Sequence, residues 1–95
     1  MNLNKLLVDS PKDIDTKRVL SDRGSAVVMR IKAGSVLKEH QSVSQAILVL
    51  ISGNAVYEEE SREVFLVHPM DVVEIPPHVT HKVTAKEDSL FLLIH

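Results

Sequence analysis

No stretch of this chain sustains a 3.6-residue apolar period for three turns, so a helical fold has nothing to stand on. What repeats instead is a short apolar or alternating segment closed by a turn, at spacings of about 8–12 residues. The pattern predicts strands over 18–20, 25–32, 36–42, 43–51, 55–60, 63–67, 71–75, 81–85 and 89–94. Between them stand Asp22-Arg23-Gly24, Ala33-Gly34-Ser35, Ser52-Gly53-Asn54 (read as a hairpin signal) and Pro76-Pro77-His78. Val and Ile supply 20 residues against five Ala, and β-branched side chains lose less freedom in strands than in helices. Short strands with frequent turns point to an all-β sandwich or barrel.

At 95 residues, folding buries roughly 65% of the unfolded chain's surface, enough for one core and not for two. We expect an N-terminal arm over 1–17 and a barrel over 18–95. With a net charge of −2 and three aromatic residues (Tyr57, Phe65 and Phe91), the chain lacks the basic face and rings that nucleic acid needs. The chain has no cysteine, which removes disulfides, thiolate metal sites and thiol nucleophiles together. No apolar run approaches the ~20 residues of a membrane helix. No membrane partner and a cytoplasmic, soluble setting are therefore expected.

Two runs, 46–51 and 90–94, are apolar on both faces of a strand. A barrel wall needs only its inner face apolar, so the outer face requires a cover. The arm can supply part of it. A second copy, docked as a homodimer through the outer sheet face, is the simpler expectation.

The order of residues from Gly34 to about Ala85 resembles the cupin superfamily of RmlC-like proteins. Gly34 is followed after five residues by His40, and Gly53 closes the segment at the length of the family's first motif. Asp71-Val72-Val73-Glu74-Ile75 then leads into Pro76-Pro77-His78-Val79-Thr80-His81, the cadence of the second motif, with Met70 in place of its first glycine. The closest likeness is to small single-domain bacterial cupins with a Lys-Glu-His first motif, here Lys38-Glu39-His40. The resemblance implies a cupin-type double-stranded β-helix, or jelly-roll barrel, with His40 and His81 turned into one cavity.

The departures bear on function. Metal-binding cupins use two His and one Glu from the first motif and one His from the second. Here Ser42 stands for the second His and Ala46 for the Glu, or Ile47 if the spacing is lengthened. Two imidazoles alone hold a first-row metal weakly. No cofactor is therefore expected. A divalent ion (Zn, Ni, Mn or Fe) would need a variant set of His40, His78 and His81.

The remaining candidates read as scaffold. His68 and His95 are expected at the surface, Glu58-Glu59-Glu60 as a solvated hairpin tip, and Met29 and Met70 as core and rim packing. Phosphate-binding glycine loops and a Gly-x-Ser-x-Gly elbow are both missing. The resulting expectation is a pocket of His40, Ser42, Gln45 and His81 that binds a small polar or anionic molecule without redox chemistry. Two alternatives remain open: a metal-dependent cupin enzyme of oxygenase or isomerase type, and a non-catalytic interaction module with a vestigial pocket.

Overall fold

A computed structural model describes residues 1–20 and 24–95, with residues 39 and 40 described through their backbone. Among the described residues the chain forms nine strands: β1 Ile14–Leu20, β2 Ala26–Ile31, β3 Val36–His40, β4 Ala46–Ser52, β5 Ala55–Glu59, β6 Glu63–Leu66, β7 Val72–Ile75, β8 His81–Ala85 and β9 Ser89–Ile94. A single 3-10 turn, Leu3–Lys5, precedes them. No helix among these residues is long and apolar enough to cross a membrane. The expected turn at Asp22-Arg23-Gly24 lies outside the described residues except for Gly24.

The strands build two antiparallel sheets, one in the order β1-β2-β9-β4-β7 and the other β3-β8-β5-β6. From β2 onward the chain crosses from sheet to sheet at every connection except the β5–β6 hairpin, which is the winding of a jelly roll. The alternation of each strand places one set of side chains inward. The five-stranded sheet contributes Met29, Ile31, Leu48, Leu50, Val73, Ile75 and Phe91. The four-stranded sheet answers with Ala55, Tyr57, Leu66, Val83 and Ala85.

The last two strands begin and end where the alternation puts them. Three details differ from the sequence reading. The first strand starts at Ile14, four residues earlier than the pattern shows, and pairs with β2 through Ile14 opposite Ile31. Residues 43–45 are not strand, and Val43 is 86% exposed. Ser52-Gly53-Asn54 is not a hairpin: β4 pairs with β7 and β9, while β5 pairs with β6 and β8. A tight Ser-Gly-Asn turn reads the same locally whether the chain doubles back or passes to the facing sheet.

That corner needs a glycine for two reasons. Gly53 has φ +110°, and a Cβ there would lie 2.4 Å from Ser89 Oγ and 2.6 Å from the Asp88 carbonyl oxygen. Buried Ser89 secures the corner, its Oγ accepting from the Asn54 N–H at 3.1 Å and donating to the Glu87 carbonyl at 2.8 Å.

On the outer face of the larger sheet, Leu7 joins Val28 and Leu90 in a second buried cluster, with Leu3, Leu6, Val19, Ile51 and Leu92 packed against it. The N-terminal leucines therefore cover one part of the two-faced apolar strands. Leu20, Val72 and Ile94 remain exposed by 42 to 58%.

Gly53→Ala combines left-handed strain with overlap and should cost about 3 kcal/mol. Gly34→Ala, with φ +84° but no atom within 4 Å of the new methyl, should cost only about 1 kcal/mol. Thermal melts should show the first variant unfolding at least about 8 °C below the second. Equal melting temperatures would remove the close approach from the account.

Candidate functional site

The register of β3 against β8 brings the two expected histidines together. Leu37 pairs with Val83, and the next matched pair is His40 with His81. Three residues on β3 therefore span two on β8, and this bulge sets residue 40, rather than 39, across from His81. Regular two-residue alternation along β3 does not survive it. His81 itself is 2% exposed. Its Nδ1 lies 3.1 Å from the Val79 carbonyl oxygen, and its ring stacks on Tyr57 with centroids 5.4 Å apart at 27°.

The other expected pocket residues are less enclosed. Ser42 is half-buried and its carbonyl accepts from the His78 N–H at 2.8 Å. Gln45 is exposed, as is His78, whose backbone turns through φ +63°. Gln41 Nε2 donates to Thr80 Oγ1 at 2.9 Å, so the loop after β3 lies along the proline-rich turn.

Sequence reasoning missed the residues that frame His81. Tyr57 and Glu59 alternate inward on β5, and Glu59 pairs with His81 across to β8. The Glu59 side chain is only 4% exposed, so it is not part of a solvated tip. Its Oε1 and Oε2 each accept from Arg62 (Nε and Nη2) at 2.9 Å, and Oε2 also accepts from the Tyr57 hydroxyl at 2.5 Å. Arg62 Nη2 additionally donates to the Glu74 carbonyl on β7 in the facing sheet. The available signal was the two-residue period of β5: if Ala55 and Tyr57 face the core, Glu59 must follow them.

Electrostatics follow from this wiring. The Arg62 guanidinium holds the Glu59 carboxyl below its ordinary value, with smaller help from the Tyr57 hydroxyl and the His81 ring acting against burial. Burial pushes the Tyr57 phenol up, and the neighbouring Glu59 adds to it, so this hydroxyl keeps its proton and acts as a donor. Arg62 is raised in turn, chiefly by its bond to Glu59.

Beside this cluster lies an open cleft of about 420 Å³, lined among the described residues by Glu58, Glu59, Glu60, Thr80 and Lys82. With Glu59 paired to Arg62, the carboxylates of Glu58 and Glu60 outnumber the Lys82 ammonium and make this surface acidic. Glu59 belongs to both the cleft and the cluster.

Among the described side chains the donor set does not fit a metal centre. Ala46 is a buried methyl group that cannot ligate, Ser42 is a poor neutral ligand, and His78 sits exposed on its turn. Among the described residues no three His, Asp or Glu side chains are grouped to hold an ion. We therefore derive no chemistry through one.

Because its carboxyl is lowered in the folded state, Glu59 contributes stability above its unfolded value of about 4.5 and loses it as pH falls through the lower folded value. The melting-temperature advantage of the natural chain over Glu59→Gln should be greatest near pH 7 and shrink steadily toward about pH 3. An advantage independent of pH would contradict the ion pair.

No protein-family model and no curated protein matches the chain. Solved structures do. A cupin-2 domain protein from Shewanella frigidimarina superposes with a TM-score of 0.84 at 14% identity, covering 100% of this chain and 92% of that one. KdgF from a Halomonas species is 28% identical with a TM-score of 0.79, over 90% and 80% of the two chains. A cupin superfamily protein from Desulfitobacterium hafniense gives 0.78 at 23% identity, over 85% and 74%. The two sheets, their winding and these likenesses agree: the chain has the fold of the small cupins.

Proposed function

We propose that the chain binds a small polar molecule at the end of the barrel marked by His81, without redox chemistry. The observation that carries this reading is buried His81 stacked on the Tyr57 ring, with the His40 backbone paired opposite it, at one end of an interior packed among the described residues mainly by apolar side chains. Polar groups gathered at the rim of an apolar barrel orient a ligand by hydrogen bonds while the walls exclude water.

Charge narrows the class. With Glu59 paired to Arg62, Glu58 and Glu60 still outnumber Lys82 around the neighbouring cleft, and the Arg62 guanidinium is already engaged by Glu59 and the Glu74 carbonyl. A neutral molecule rich in hydrogen-bond donors, such as a sugar or polyol, suits this surface better than an anion.

Titration of the isotopically labelled chain with separate panels of neutral sugars, amines and carboxylates tests the reading. Saturable shifts of backbone signals around residues 57–59 and 80–82 are expected, with a Kd below about 1 mM, the upper end of ordinary metabolite affinities. His81→Gln should weaken binding at least tenfold, the scale of one lost hydrogen bond to a buried partner. Unchanged binding in that variant, or no saturation in any panel, would overturn the assignment.

A further inference from the structure

We propose that Arg62, on the β5–β6 hairpin tip, is the positioning residue for His81, acting through Glu59 and Tyr57. The inference rests on the reading of His81 as a ligand-facing group and adds to it what holds that group in place.

Four contacts form the chain of transmission. Arg62 presents its planar fork to both oxygens of Glu59, at 2.9 Å each, which fixes the plane of the carboxylate as well as its position. Glu59 accepts the Tyr57 hydroxyl proton at 2.5 Å. The Tyr57 ring stacks against the His81 ring, and Arg62 Cζ lies 5.4 Å from the Tyr57 centroid. The far end is fastened as well, because the same Arg62 donates to the Glu74 carbonyl of the facing sheet. The hairpin presets the first link: the Glu59 N–H donates to the Arg62 carbonyl at 2.9 Å, closing the turn with both side chains on one side of it.

Each link is costly to break, which makes the chain stiff. The Glu59 side chain is 4% exposed, so loss of Arg62 removes the two donors that offset its burial. The carboxylate must swing outward or take up a proton, and either change withdraws the acceptor from the Tyr57 hydroxyl. Tyr57 is fully buried, so its phenol cannot turn to water instead. The ring has to shift, and His81 loses the face it stacks on. Arg62 touches His81 at no point in this sequence of contacts. Its effect is on ring orientation, which a general loss of stability does not mimic.

The experiment follows the histidine side-chain signals of the full chain by nuclear magnetic resonance in the absence of any ligand. Arg62→Ala and Glu59→Gln are each expected to move the His81 ring resonances and abolish the Tyr57–His81 ring Overhauser contact, leaving the exposed His68 and His95 signals in place. Arg62→Lys keeps the charge but not the fork and should behave as Arg62→Ala does. The double variant Arg62→Ala/Glu59→Gln should shift His81 no further than either single change, since both cut one chain. Val28→Ala, in the separate buried cluster on the outer face of the larger sheet, controls for stability and should leave the His81 contact intact. An unaltered Tyr57–His81 contact in folded Arg62→Ala and Glu59→Gln would overturn the proposal. If the contact tracks Arg62 as expected while no panel molecule binds, the positioning chain stands and the binding assignment falls.

Discussion

The buried ring of Tyr57 joins the apolar core of the barrel to its polar end. Its carbon face lies among Val83, Leu66 and the residues of the facing sheet, where any charge would be expensive. Its hydroxyl reaches the rim, where Glu59 accepts it and Arg62 neutralises Glu59. The tyrosine thereby lets a strongly polar cluster sit directly against a close-packed core with every hydroxyl and carboxylate oxygen bonded. His81 depends on that arrangement, since the face it stacks on is the same ring. A phenylalanine at this position would fill the core equally well but leave Glu59 with one donor fewer.

Much of the fold was legible because period-two alternation and turn chemistry are local properties. Strands β8 and β9 fall where Val83, Ala85 and Phe91 alternate inward, and Gly53 announces a turn. What the turn does was not legible, because crossing to the facing sheet and doubling back use the same residues. The resemblance to the cupin motifs implies one cavity for His40 and His81, but the bulge that sets them opposite each other on β3 and β8 was not legible, since bulges depend on the partner strand. Glu59 was misread for a similar reason. Within the run Glu58-Glu59-Glu60 nothing distinguishes the middle residue until β5 is placed against β8 and Arg62 returns across the hairpin. Composition sees a charge run where the strand sees two faces.

The outer surface of the larger sheet carries the second consequence of a short, strand-rich chain. Val28 and Leu90 point away from the barrel interior yet are buried, because Leu7 and its neighbours lie over them. The arm thus belongs to the packing of the domain, and it separates the sheet's outer face into a covered part and the exposed remainder near Leu20, Val72 and Ile94. His81 and Tyr57 belong to the other sheet, so changes in the arm and changes at His81 act on different parts of the molecule.

Density beside the His81 ring separates the proposed hydrogen-bonding site from a metal centre. A crystal structure of the chain purified without added metal, recorded with anomalous data, should show a polar molecule or ordered water at a hydrogen-bond distance of about 2.7–3.2 Å from the polar groups of this end. An anomalous peak about 2.1 Å from a His81 ring nitrogen, with at least two further protein ligands, would contradict it.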